Sequence, residues 1–87
     1  MKVYMKPVKM LSYTQENGIQ IPLRFQLKTR DDELITVKID RITEKNQEKL
    51  AGNKMYIYKC QSVINGVERI YELKLEASTM KWYLYKM

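Results

Sequence analysis

The stretch Tyr56-Ile-Tyr-Lys-Cys-Gln-Ser-Val-Ile64-Asn65-Gly66-Val67-Glu-Arg-Ile-Tyr71-Glu-Leu-Lys-Leu75 decides the fold. Asn-Gly is the strongest short hairpin signal, because a type I′ turn needs positive φ at both of its central residues. A two-residue loop at Asn65-Gly66 sets Ile64 across from Val67, Cys60 from Tyr71, Tyr58 from Leu73 and Tyr56 from Leu75. Side chains alternate across a strand, so these pairs share one face. The other face pairs Lys59 with Glu72 and sets Ile57 across from Lys74. One side is therefore apolar, and the other carries a complementary charge pair. A one-residue slip would invert every face, so the agreement of turn and pattern fixes the register.

Working outward, Ile19 to Lys28 alternates apolar and polar over its whole length. A strand collects Ile21, Leu23, Phe25 and Leu27 on one face, where a helix would scatter them. Leu34 to Thr43 does the same with Ile35, Val37 and Ile39. A two-residue loop at Asn17-Gly18 sets Val8 against Leu27 and Met10 against Phe25. An odd loop of about three residues after Thr29 sets Leu27 against Ile35 and Phe25 against Val37. A two-residue loop at Ala77-Ser78 sets Leu75 against Met80, Leu73 against Trp82 and Tyr71 against Leu84. The longest break runs from Glu44 to Asn53. Thr43 and Gly52 would start and stop a short helix there, but with only Leu50 and Ala51 apolar a plain loop serves as well.

These runs predict an all-β chain, residues 1–87 forming a single domain built as one antiparallel meander of about six strands. Its apolar face must be covered, and no helix of useful length is available to cover it. The sheet then curls into a small SH3-like or OB-like barrel; the alternative is an open sheet completed by face-to-face dimerisation. There is no internal repeat and no low-complexity tract.

Length and composition bound the function. At 87 residues with 45% hydrophobic content the chain has material for one core. No apolar run approaches the roughly 20 residues a membrane helix needs. Lys2, Lys6 and Lys9 break up the apolar stretch a signal peptide requires, so the expectation is a cytoplasmic protein with no membrane partner. One cysteine and no histidine remove internal disulfides, soft-ligand metal sites and the usual His-based acid–base and nucleophile pairs. Cys60 faces inward in the register above and reads as structural. Asp40 lacks a second carboxylate, and Asp31, Asp32 and Glu33 lack the spacing of a calcium loop. The sequence predicts a non-catalytic protein, with no catalytic residue, no cofactor and no metal.

The net charge of +6 is unevenly spread. Residues 1–30 carry a surplus of five positive charges, residues 31–50 a deficit of two and residues 51–87 a surplus of three. Excess positive charge attracts polyanions. Lys81, Tyr83 and Tyr85 point away from the apolar face, as do Lys9, Tyr13, Arg24 and Lys28. If the last strand lies beside the first, they form one patch in which tyrosines stack on bases and cations neutralise phosphates. The predicted contacts for single-stranded DNA or RNA are thus Lys9, Arg24, Lys28, Lys81, Tyr83 and Tyr85. An ordinary solvated strand face has the same composition, since Tyr favours strands and Lys solubilises. A second candidate is protein–protein interaction, by a monomer or a homodimer, through an open strand edge or through the outer residues Leu11, Met55, Ile57, Ile70 and Met87. These interrupt the polar outer face as an apolar patch would. Tyr56 and Tyr58, by contrast, face the core.

The segments Val37-Lys-Ile-Asp-Arg-Ile42, Glu48-Lys-Leu-Ala-Gly-Asn53, Tyr58-Lys-Cys-Gln-Ser62 and Tyr71-Glu-Leu-Lys74 resemble a family of small, uncharacterised proteins from Gram-positive bacteria. The closing Lys81-Trp-Tyr-Leu-Tyr-Lys-Met87 is similar too, so the resemblance spans most of the chain. It implies a bacterial, cytoplasmic origin and brings with it no activity, cofactor or functional residue.

Overall fold

Seven strands and no helix make up the computed structural model, which describes residues 1–87: β1 (Val3–Thr14), β2 (Gln20–Lys28), β3 (Leu34–Lys38), β4 (Arg41–Leu50), β5 (Asn53–Ile64), β6 (Val67–Glu76) and β7 (Lys81–Lys86). Asn65 and Gly66 take φ of 51° and 77°, the positive pair a type I′ turn uses. Around them β5 and β6 pair as expected, Cys60 with Tyr71, Tyr58 with Leu73, Tyr56 with Leu75 and Lys59 with Glu72. The β2–β3 hairpin also matches, with Phe25 opposite Val37 and Leu27 opposite Ile35. Its three-residue loop is closed by the Thr29 N–H donating to the Glu33 carbonyl, at 2.9 Å.

The expected helix or loop after Thr43 is instead the strand β4, which returns along β5 through a turn at Ala51 and Gly52, φ 50° and 82°. Thr43 caps nothing. It is the extra residue of a bulge between Ile42 and Glu44, and its hydroxyl donates to the Lys59 carbonyl at 3.2 Å. Gly52 ends no helix but supplies a left-handed turn position. The strand count therefore rises from about six to seven, an ordinary sheet size. β4 shows no alternation because it is an edge strand, solvated on both faces over most of its length.

Two other hairpins depart from the simple turns. The Gln15 N–H donates to the Ile19 carbonyl at 2.8 Å, so the first loop has three residues, Glu16 to Gly18, with Gly18 at φ 87°. That sets Tyr13 opposite Ile21, one step off, until a bulge between Leu11 and Ser12 restores Met10 opposite Phe25. Pro22, which has no N–H to give the ladder, sits at this irregularity. Pro22 consequently enters the core, whereas Leu23 is 40% exposed and Ile21 pairs with outward Tyr13. Ile21 and Leu23 thus do not share the face of Phe25.

The loop between β6 and β7 has four residues rather than two, closed by the Met80 N–H donating to the Glu76 carbonyl at 2.8 Å. Leu75 then meets Trp82 and Leu73 meets Leu84. The slip is an even number of residues, so every side chain keeps its expected face. A second irregularity sets Glu72 opposite Lys86 and leaves Tyr85 as the extra residue. It turns Met87 inward, against the core, where the simple alternation had placed it outside.

All pairs are antiparallel in one sheet of order β3-β2-β1-β7-β6-β5-β4, with β1 joining the two halves through Val8–Trp82 and Pro7–Tyr83. The sheet curls into a half-barrel. Its edges β3 and β4 are not hydrogen-bonded to each other, and the chain crosses between them at Ile39 and Asp40. The Ile39 N–H donates to the Leu23 carbonyl on one half and the Asp40 N–H to the Gln61 carbonyl on the other. The interior holds Phe25, Val37, Tyr58, Cys60, Tyr71, Leu73, Leu75, Trp82 and Leu84. Phe25 meets Tyr71 edge-on at 5.6 Å between ring centres, and Tyr58 meets Trp82 at 5.2 Å. Buried hydroxyls find partners: Tyr58 donates to the Gln20 carbonyl at 2.6 Å, and Tyr71 shares a hydrogen bond with Ser62 at 2.6 Å. No helix of the chain is long and apolar enough to cross a membrane.

Candidate functional site

The four strands β3, β2, β1 and β7 contain no aspartate or glutamate. They are adjacent in the sheet, so their outer face is one surface. Alternation decides which cations reach it. Phe25 and Leu27 point inward, so Arg24, Gln26 and Lys28 point outward. Across the ladders Arg24 lies between Leu11 and Lys38, Gln26 between Lys9 and Thr36, and Lys28 opposite Leu34. Lys81, Tyr83 and Tyr85 continue the surface on β7. The structure therefore brings Lys9, Arg24, Lys28, Lys81, Tyr83 and Tyr85 to one face. Lys38 joins them, and sequence reasoning passed it over. The register that set Phe25 against Val37 also sets Arg24 against Lys38, so the signal for it was present.

The other outer surface is arranged differently. Lys86, Glu72, Lys59 and Glu44 face one another in that order across β7, β6, β5 and β4, alternating in sign. The acids of the chain lie on β4, on β6, in turns and at the Asp40 crossing. Lys74 and Glu48 form an ion pair at 2.7 Å, whereas Lys9, Arg24, Lys28 and Lys38 have no carboxylate within salt-bridge distance. Lys81 is partly offset by Glu76 opposite it. The Glu76 carboxyl is held below the usual carboxylate range by hydrogen bonds from Thr79 and Asn53 and by the Lys81 charge.

The aromatics differ in what they offer. Tyr13 is 48% exposed on the outer face. Tyr83 is half-buried between Pro7 and Lys74. The Tyr85 ring is covered by the Lys74 ammonium, 3.8 Å from its centre, with Lys86 at 4.9 Å. A shallow depression of about 300 Å³ lies among Lys9, Leu11, Arg24, Gln26 and Thr36, in the middle of the basic surface.

The five apolar outer residues do not merge into a patch. Leu11 and Ile70 are 50% and 53% exposed, but they lie on strands separated by β7. Met55 is buried between Glu48 of β4 and Glu76 of β6, on the strand that the Lys74–Glu48 ion pair spans. Ile57 is half-buried on the same strand, and Met87 faces the interior. Cys60 is fully buried, and burial pushes its thiol up to about 12, which removes it from nucleophilic chemistry at neutral pH. No family model, curated protein or solved structure matches this chain.

Proposed function

We propose that this chain is a non-catalytic small-barrel module, of the OB-like or SH3-like kind, that binds single-stranded DNA or RNA along the outer face of β3, β2, β1 and β7. The observation that carries the reading is the segregation of charge: four adjacent strands without an acid present Lys9, Arg24, Lys28, Lys38 and Lys81 together. Arg24 and Lys38 are direct cross-strand partners, about 5 Å apart at the backbone, and Lys9 lies diagonal to Arg24 on the next strand. Unpaired cations lose no ion pair when phosphates arrive, and they release counterions from the nucleic acid. Tyr13 and Tyr83 supply ring faces for stacking, worth about 1–3 kcal/mol per base. Tyr85 supports the surface by seating Lys74 rather than by stacking.

Fluorescence anisotropy with short single-stranded oligonucleotides tests this. The double variant Lys9→Glu/Arg24→Glu is expected to lose at least about tenfold in affinity. Lys45→Glu/Lys49→Glu, the same charge change on β4, is expected to lose far less. Absence of binding by the wild-type chain at low salt would end the proposal, and so would equal losses in the two variants.

A further inference from the structure

Because the edge strands β3 and β4 are not hydrogen-bonded to each other, the half-barrel is not closed, and a cleft of about 330 Å³ enters its interior. Its floor is Leu27, Ile35, Val37, Ile64, Leu84 and Met87. Leu27, Ile35, Ile64 and Met87 all pack against the core yet remain half-buried. Inward apolar side chains in a filled interior would be covered, so these four line vacant space. The rim is formed by Lys6, Lys28, Arg30 and Arg69, and no aspartate or glutamate borders the cleft. Arg69 opposes buried Ser62, which places it on the interior face of β6. Lys6 is held at the mouth by donating to the Lys28 carbonyl. None of the four cations has an acidic partner.

We infer that this cleft binds an amphipathic anion, an apolar chain ending in a carboxylate, with the chain on the Leu27–Ile35–Ile64–Met87 floor and the head between Arg30 and Arg69. The mouths of small barrels and gaps of a few hundred Å³ with an apolar lining and few polar groups are where such ligands settle. The apolar floor demands an apolar body. Four unpaired cations demand a negative head, which a guanidinium binds through paired N–H donors. A neutral chain gains nothing from the rim, and a cationic one is repelled. The cleft opens to the interior of the curl and the basic surface lies outside it, so the two sites are separate except for the shared Lys28.

Isothermal titration of the intact chain with decanoate, kept below its micelle concentration, tests the site, with decanol and decyltrimethylammonium alongside. Decanoate is expected to saturate one site, decanol to bind at least about tenfold more weakly and the cation not at all. Arg30→Gln/Arg69→Gln, both at exposed positions, is expected to weaken decanoate at least about tenfold while leaving decanol unchanged. Methyl resonances of Leu27, Ile35, Ile64 and Met87 should shift on decanoate addition. The inference is overturned by no saturable decanoate binding, by decanol binding as tightly, by an unaffected double variant, or by shifts confined to other residues. Oligonucleotide binding is read with the Lys9 and Arg24 variants, so either site can fail alone.

Discussion

Tyr58, Cys60 and Tyr71 are three weak acids set side by side in the interior, and burial governs all of them. It pushes Tyr58 and Cys60 up to about 12 each, and raises Tyr71 further despite the hydrogen bond from Ser62 that opposes the shift. In the unfolded chain the thiol ionises near 9.0 and the phenols near 10.0. Below those values both states hold the same protons and stability does not depend on these groups. As pH rises from about 9 through about 12, the unfolded chain releases protons that the native one retains, and stability falls. The thermal midpoint should therefore drop across that range. Two of the seven tyrosines should show phenolate absorbance only on unfolding, and a thiol reagent at about pH 8 should leave native Cys60 unlabelled. The Ser62–Tyr71 bond is a second measurable quantity at this scale. Ser62→Ala strands a buried hydroxyl and should cost about 1–3 kcal/mol, with Ser62→Ala/Tyr71→Phe costing less than the two single changes summed. Both are read by urea unfolding. Lys74 behaves similarly: Glu48→Ala leaves its buried ammonium with the Tyr85 ring but no carboxylate and should cost about 1–2 kcal/mol, whereas Lys74→Met should be close to neutral.

Elements differ in how much they show of themselves, and the reason is solvation. The β5–β6 hairpin is readable residue by residue, because Asn65-Gly66 specifies the turn and one face of each strand is buried. β4 is not readable that way. Its run Thr43-Glu-Lys-Asn-Gln-Glu-Lys-Leu-Ala51 has no buried face to impose a period, and its residues favour helices in isolation. Pairing with β5 overrides that preference. Ala51 shows the strain of that override, since it sits at φ 50° without glycine's freedom. Ala51→Gly should therefore stabilise the chain by up to about 1 kcal/mol, and Gly52→Ala should destabilise it by about 1–2 kcal/mol, both measured as shifts in the denaturation midpoint. The irregularity at Pro22 and the extra residue at Tyr85 escaped the sequence for a related reason. An inserted residue changes which side faces inward without changing composition, so Pro22 replaced Leu23 in the core and Met87 moved inside.

At the scale of the whole molecule, charge is segregated by strand order, which only the assembled sheet reveals. The basic face was legible in outline, because joining the last strand to the first unites Lys81 and Tyr83 with Lys9 and Arg24. Lys38 completed it only once the β2–β3 ladder was laid out. The apolar set dissolved for the converse reason: Met55 is buried beside a β4 strand that no apolar alternation announced. If all five cations engage phosphates, the logarithm of affinity should fall against the logarithm of salt with a slope near about −3.5, read by anisotropy over a salt series. Reversing Lys9 and Arg24 should flatten that slope as well as weaken binding.

The junction of β1 with β7 has a further consequence. Val3 lies beside Lys86, and the backbones of Lys2 and Met87 exchange two hydrogen bonds at 3.0 and 3.1 Å. These strands are far apart in sequence, so their pairing is the costliest loop to close and should form late in folding. They are also antiparallel, with residues 2 and 87 at the same end. Tension applied between those residues therefore opens the ladder one rung at a time, like a zip. It does not shear all the rungs together. The half-barrel should yield at low force, and the first intermediate should be the sheet parted between Val8 and Trp82, with the β2–β3 and β5–β6 hairpins still intact.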